Sequence, residues 1–483
     1  MSVELKLHNT LTKKAEPVSP MEDGRPIGFY SCGPTVYGFP HIGNYRTFLL
    51  GDLFKRTARR LGYSVRHVMN ITDVGHLTSQ ADEGEDKMAV AAAREGKTAW
   101  DIARFYTENF LADGKRFNLD FNPVENPARE YRPEAVDILC KATDHIEEQM
   151  KMVDRLIEDG FTYETADGIY FDTSKFPDYG VLTGGAHISG LQEGARVSMG
   201  EKKRITDFAL WKFSPSDEKR QMEWDYRGRK GFPGWHVECS AMGQTYLGDT
   251  FDVHSGGVDL IPIHHTNEIA QAEAATGKKP FVRFWLHGEF IVLRKGKMSK
   301  SEGTFVTMAD LDKKGYDPLD YRYFCFSAHY RKQLEFSWEA LDSAKKTRRR
   351  LCELAQQWKK ESDSDPVEAE KEASVWIENF KKEIANDLNA PSALGCLHTA
   401  LSSMKWASSK VLFLEEAEEV LALGLFEEKE ESSLSPDLQD KFDRYVVSRK
   451  EKDYGTSDTL RKELLDSGIA VKDTKEGSSW SRK

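Results

Sequence analysis

Apolar positions alternate between two rhythms along the first half of the chain. PIGFYSC (26–32) is a short apolar run and predicts a buried strand. From His41 onward, Phe48, Leu49, Leu53 and Phe54 recur at the helical period, which predicts a helix through HIGNYRTFLLGDLFKRTARRLGY. SVRHVMNIT (64–72) predicts a second strand. Strand, loop, helix and strand make the βαβ unit of an open parallel sheet. Its right-handed crossover puts the intervening loop, GPTVYGFP, at the carboxyl end of the first strand, where such sheets bind ligands.

Residues 85–118 read as helical. Between 123 and 227 the pattern changes to short strands and frequent glycines, which predicts an inserted domain. The parallel-sheet rhythm returns in GWHVECSAMGQTYLG (helix), DTFDVHSGGVDL (strand and turn) and IHHTNEIAQAEAATG (helix). Residues 281–305 give two strands and a polar loop, and 338–425 are helix-like and highly charged. Residues 415–431 carry eight glutamates against one lysine and read as a solvated helix end and linker, ahead of a small mixed unit at 437–483. The expected fold is α/β: a Rossmann-like parallel sheet split by an inserted domain, then a helical bundle and a small C-terminal domain.

Length and composition narrow the class. A chain of 483 residues suggests about three domains. A formal net charge of −11 argues against a protein coated in nucleic acid and leaves room for a local basic groove. No stretch reaches the length of about 18 apolar residues that a membrane span needs. The N-terminal residues lack the apolar core of a signal peptide. Six cysteines are too few for a disulfide scaffold in so long a chain, so a reduced, cytoplasmic compartment is expected.

In that compartment a pair of cysteines more often binds metal or does chemistry. Cys32 ends the first strand, Cys239 lies in GWHVECSAM, and His264 and Glu268 are four apart on one helical face. Thiolate, imidazole and carboxylate are all zinc ligands. Taken singly, each is more often a packed or surface residue. As a set they share the ligand-binding edge of one predicted sheet. Cys140, Cys325, Cys352 and Cys396 are assigned to packing in amphipathic helical patterns. Two further stretches suit phosphate. His41 to Asn44 open a helix after a glycine-bearing loop, where free N–H groups face anions. KGKMSKSEG (295–303) puts Lys297 and Lys300 on a polar loop that could neutralise a growing negative charge.

HIGN and KMSKS, in this order on a split parallel sheet, resemble the two signatures of the class I aminoacyl-tRNA synthetases. CGPTVYGFPHIGNYR, GWHVECSAM, FDVHSGGVDL and HHTNEIAQAEA resemble the cysteine-specific branch of that family, and RKEKDYGTSDTLRKELLDSGIAVKDTKEGSSW resembles its anticodon-binding end. The resemblance implies one zinc ion per subunit on Cys32, Cys239, His264 and Glu268, with His265 a poorer ligand than His264. It implies ATP, with Mg²⁺, at His41, Gly43, Asn44, Lys297 and Lys300, four of which (all but Gly43) match catalytic positions. Thr72, Trp235 and Asp259 match the cysteine pocket, and Arg449, Tyr454, Asp458 and Asp473 match anticodon contacts. Asn44 stands where the signature has its last histidine. The implied domains are a catalytic domain in two halves (1–122 and 228–281) around a connective insertion (123–227). A stem-contact region bearing the KMSKS loop (282–339), a helical bundle (340–436) and an anticodon-binding domain (437–483) follow. The implied partners are L-cysteine, ATP and the cysteine tRNA, with no membrane and a monomeric state. RNA contacts are expected in local patches such as Lys345 to Arg350. Two rival readings are a ligase that passes cysteine to an amino sugar, as in mycothiol formation, and a non-catalytic RNA-binding relative.

Overall fold

A computed structural model describes residues 3–76, 86–184, 201–215, 220–293, 296–297, 305–361, 365–427, 436–474 and 477–482. It divides into two compact units, Met1–Leu425 and Phe426–Lys483. A hairpin of β1 (Lys6–Asn9) and β2 (Lys14–Pro17) opens the first unit. Strand β3 (Ile27–Ser31) then leads through a turn into α1 (Ile42–Arg60) and β4 (Val65–Ile71), every residue of which is buried. Helices α2 (Lys87–Glu95) and α3 (Ala99–Arg116) break at Gly96, whose φ of 63° is left-handed. Strand β5 (Asp137–Lys141) and α4 (Ile146–Glu158) follow.

A second sheet is built from β6 (Thr162–Glu164), β7 (Gly168–Phe171), β8 (Phe208–Phe213), β9 (Trp224–Tyr226) and β10 (Arg229–Pro233), in the order β6-β7-β8-β10-β9. The chain returns through α5 (Trp235–Leu247), β11 (Phe251–Gly257), α6 (Thr266–Thr276) and β12 (Val282–Gly288). The central sheet runs β12-β11-β3-β4-β5, with every neighbouring pair parallel. Its order reverses between β3 and β11, so the crevice beyond their carboxyl ends is the place such a sheet offers to a ligand. The rest of the unit comprises β13 (Ile291–Leu293), β14 (Gly296–Lys297), α7 (Met308–Lys313), α8 (Pro318–Phe326), β15 (Leu334–Phe336), α9 (Trp338–Lys359), α10 (Pro366–Ala385), α11 (Ala390–Ser403) and α12 (Ala407–Leu421). The second unit has α13 (Pro436–Lys450), α14 (Tyr454–Asp466) and a hairpin of β16 (Ile469–Thr474) and β17 (Gly477–Arg482), closed on its own core of Phe442, Tyr445, Leu460 and Leu464.

Four expectations shift. The inserted domain does not begin at 123: β5 pairs in parallel with β4 and belongs to the central sheet, pinned by Lys55 Nζ 2.7 Å from the Asp137 carboxylate. Nor does it end at 227, because β10 pairs with β8 and β9. Cys140 therefore lies on a strand, not a helix, packed in the core that also holds Cys239. The acidic stretch from 415 is structural where it is described. The Glu418 carboxylate accepts from the backbone N–H groups of Leu423, Gly424 and Leu425, and Glu416 sits 3.0 Å from Lys381. Finally, Arg348 in the expected RNA-facing patch is buried, bonded to Asp320 and to the Leu423 carbonyl, each at 2.8 Å.

Candidate active site

Four side chains from three places in the sequence meet at the switch point. Cys32 follows β3, where its N–H donates to the Ser255 carbonyl of β11 at 3.1 Å. Cys239 sits in α5, His264 in the π-helical turn Ile261–His265, and Glu268 in the first turn of α6. One ligand atom from each lies within 4.8 Å of the others, with Cys32 half-buried and the rest buried. Cys32, His254, His265 and Glu268 meet the same criterion. The two sets share Cys32 and Glu268, and only the first adds a second thiol. His254 Nε2 is 3.1 Å from Glu268 Oε2. His265 Nδ1 is 2.8 Å from His287 Nε2 and its Nε2 3.5 Å from Cys32 Sγ, while His264 Nδ1 is 3.1 Å from His236 Nδ1. His264 and His265 are thus each held from behind, and each turns the other nitrogen to the cluster. Glu268 Oε1 faces His264 Nε2 at 3.0 Å yet accepts no hydrogen bond. A buried carboxylate oxygen left this way, beside two thiols, fits a cation at the first set.

The charges agree. Burial opposes ionisation of Glu268, but His254 and His264 hold its carboxyl down at about 2. Burial also disfavours the His264 imidazolium, but Glu268 and the Cys239 sulfur push it up to about 10. The buried Glu268 carboxylate thus calls for a positive charge in this pocket, and a divalent cation could supply it. The hydrogen bond to Cys32, together with burial, raises the Cys239 thiol well above its ordinary range, so deprotonation of this sulfur needs a cation.

Above the cluster lies a cleft of about 280 Å³. Cys32, His41, Asn44, Thr72, Trp235, Cys239, Asp259 and His264 all line it. Trp235 stacks on His264 with ring centroids 4.4 Å apart. Asn70 fixes the floor: its side chain accepts from Gly33 N–H at 2.8 Å and donates to Thr72 Oγ1 at 3.0 Å. The Gly33 backbone approaches so closely that a Cβ there would stand 1.8 Å from the Asn70 carbonyl oxygen.

The other end of the cleft is the N-terminus of α1. His41 caps it, its Nδ1 accepting from Asn44 N–H at 3.1 Å while Asn44 Oδ1 accepts from His41 N–H at 3.0 Å. The asparagine thus completes a reciprocal cap on the helix that carries it. A Cβ on Gly43 would press within 2.9 Å of the His41 ring. Ile42 N–H donates to the Val306 carbonyl at 2.9 Å, and the Phe305 ring meets His41 edge to face at 5.1 Å. The chain just beyond the lysine-bearing stretch is therefore fastened to this helix. Lys297 pairs through its backbone with Val292, and Lys300 lies outside the described residues.

In the second unit, Arg449 is 3.1 Å from the Asp473 carboxylate, and its guanidinium stands 5.5 Å over Tyr454. Tyr454 and Asp458 are exposed on α14. Sequence reasoning missed Asn70, Tyr37 and Lys87, which also line the cleft. Asn70 had a faint signal, a carboxamide near the carboxyl end of a predicted sheet strand; the other two had none. Among the described residues no helix is long and apolar enough to cross a membrane.

Residues 18–346 match the family described as tRNA synthetases class I (C) catalytic domain. A cysteine--tRNA ligase 1 of Burkholderia lata is 45% identical over 98% of this chain and 96% of its own. A cysteine--tRNA ligase of Treponema denticola is 39% identical over 99% of this chain and 100% of its own. The fold is similar to that of a Mycobacterium tuberculosis methionyl-tRNA synthetase bound by methionyl-adenylate, with TM-score 0.55 and 16% identity over 90% of this chain and 96% of that one.

Proposed function

Because the chain belongs to the class I aminoacyl-tRNA synthetases, in the family of the cysteine--tRNA ligases, we propose that its cleft joins L-cysteine to AMP and then to the 3′ end of the cysteine tRNA. The observation that carries this reading is the thiol, imidazole and carboxylate cluster at the floor of a cleft whose other end is a capped helix N-terminus. The relatives match the second unit as well as the first, which favours tRNA over a small-molecule acceptor.

Both nucleophiles belong to the substrates, so the protein's work is positioning and charge stabilisation. The cysteine carboxylate attacks the α-phosphate of ATP and pyrophosphate leaves. The terminal ribose hydroxyl then takes the acyl group and AMP leaves. Asp259 meets the substrate's ammonium group, and Thr72 and Trp235 shape the pocket around its backbone. The N–H groups at the start of α1 and the His41 imidazole meet the phosphates. Lys297 and Lys300 neutralise charge on the departing pyrophosphate, and Mg²⁺ accompanies the ATP. Cys32, Cys239, His264 and Glu268 would hold zinc, which supplies a thiolate-selective contact that serine's hydroxyl cannot match. Arg449, Tyr454, Asp458 and Asp473 read the anticodon, with Arg449 and Asp473 exchanging their mutual pair for contacts to base edges. The enzyme acts as a monomer in the cytoplasm.

Cysteine-dependent ATP–pyrophosphate exchange by the purified chain tests the proposal. Exchange with cysteine and far less with serine is expected, followed by charging of the cysteine tRNA. Exchange without cysteine dependence would sink it.

A further inference from the structure

Three rings, Phe39, Phe105 and Tyr106, gather where α3 meets the turn that leads into the cleft. Phe39, from the turn before α1, packs edge to face on Tyr106 at 5.0 Å and on Phe105 at 6.2 Å. An edge-to-face contact covers at most one face of a ring. Phe39 is 46% exposed and Phe105 38% exposed, an unusual state for two neighbouring phenylalanines. Lys97 Nζ stands 4.4 Å above the Phe105 ring, and Lys87 Nζ lies 5.7 Å from the Tyr37 centroid. Lys97 is also 3.4 Å from Glu95 Oε2, an exposed pair that a polyanion could compete for. Tyr37, Phe39 and Lys87 line the cleft as well, so the ring cluster and the cleft are one continuous surface.

We propose that Phe39 and Phe105, with Lys87 and Lys97, form a stacking platform that takes the unpaired 3′-terminal nucleotides of the tRNA acceptor strand. Interleaved aromatic faces and ammonium groups are what single-stranded nucleic acid requires: rings for the bases, cations for the phosphates between them. A protein partner would call for a broader apolar patch with fewer charges at its centre. Continuity with the cleft selects this strand. The 3′ end must reach the substrate at the cleft floor, and the platform lies on its way in. The inference rests on the function proposed above.

The test uses the full-length protein, a cysteine tRNA with 2-aminopurine in place of its terminal adenine, and the variants Phe105→Ala, Phe105→Leu and Phe105→Tyr. Phe105 is not among the cleft-lining residues, so cysteine-dependent ATP–pyrophosphate exchange should stay within about twofold of the parent in all three, the range expected of a surface change. Single-turnover transfer from preformed adenylate, at subsaturating tRNA, should fall about tenfold or more in the alanine and leucine variants and recover in the tyrosine variant. Quenching of 2-aminopurine on binding should follow the same order. Unchanged transfer and quenching in Phe105→Ala would overturn the platform, and so would full recovery in Phe105→Leu, which would mark a packing role alone. Loss of exchange in the parent protein would instead strike the proposed function, so the two failures are told apart.

Discussion

Cys239 is buried, and its sulfur is held protonated by its neighbours, so its worth as a ligand depends on a cation taking the proton's place. Cys239→Ser should lower the zinc content of the purified protein and raise KM for cysteine more than KM for ATP. Elemental analysis together with exchange kinetics checks this; full metal occupancy with parental kinetics would remove Cys239 from the set. Lys300→Ala should slow adenylate formation by about 10²–10³-fold, as the loss of one preorganised donor does elsewhere, while tRNA affinity holds. Rapid-quench measurement of one turnover decides it. A third residue shows the sign of a buried charge. Burial, opposed by hydrogen bonds from the Thr143 N–H and hydroxyl, raises the Asp73 carboxyl to about 6. Its unfolded value is about 3.9, so the folded state favours the protonated form. The stability this group contributes is complete below pH ~4 and lost as pH rises through ~6, on the order of 2–3 kcal/mol in all. Asp73→Asn keeps an acceptor for Thr143 and cannot ionise. The fall in Tm of the parent relative to this variant between pH 4 and 7 should therefore be visible by calorimetry; parallel curves would assign the change to other groups.

At the scale of elements, α1 decides how the two ends of the cleft face each other. Its N-terminus carries His41, and one turn on, the buried Arg46 donates to the carbonyls of Glu289, Phe290, His329 and Lys332 at 2.6–3.3 Å. Glu289 and Phe290 lead into β13, and His329 and Lys332 lie just before β15, its parallel partner. The helix is fastened again where Tyr321 of α8 donates to the Ile42 carbonyl at 2.6 Å. Arg46→Met would remove the side-chain donors to the Glu289 and Lys332 carbonyls and leave those of Phe290 and His329 to the backbone N–H groups of Leu334 and Lys332, at a cost on the order of 3 kcal/mol. The expected outcome is a lower denaturation midpoint and slower exchange with little change in KM for cysteine, since α1 and β13 would lose their register while the thiol cluster stays in place. Arg46→Lys, with one ammonium for four carbonyls, should recover only part of the midpoint. Recovery of the rate without the midpoint would separate positioning from stability.

For the whole molecule, the division into Met1–Leu425 and Phe426–Lys483 matters most. The cleft, the cluster and the central sheet all lie in the first unit, and the second has its own apolar core. Removing 426–483 should leave cysteine-dependent exchange largely intact. It should lower charging of tRNA by about a hundredfold, a loss of roughly 3 kcal/mol of recognition. Anticodon substitutions should hurt the intact chain and be nearly silent in the truncated one. A truncated chain that charges as well as the parent, with the same anticodon sensitivity, would take recognition away from the second unit.

The sequence by itself determined the local rhythm and the chemistry on offer. Strands at 26–32 and 64–72, the helix from His41 and the i, i+4 spacing of His264 and Glu268 are all short-range properties, set by side-chain period and by which residue types can ligate or cap. Only the tertiary structure decided which distant pieces meet. Sheet order is a matter of non-local pairing, so β5 joined the central sheet and β10 left it against the compositional boundaries. His264 and His265 are adjacent and alike in sequence; the fold gives them different partners, His236 and Glu268 for the first, His287 and Cys32 for the second. Arg46 looked like one more polar residue on a helix, and Arg348 like one more surface cation, until burial gave each its backbone carbonyls. The exposed rings of Phe39 and Phe105 come together because a turn packs beside a helix some sixty residues further on, a contact that no local pattern encodes.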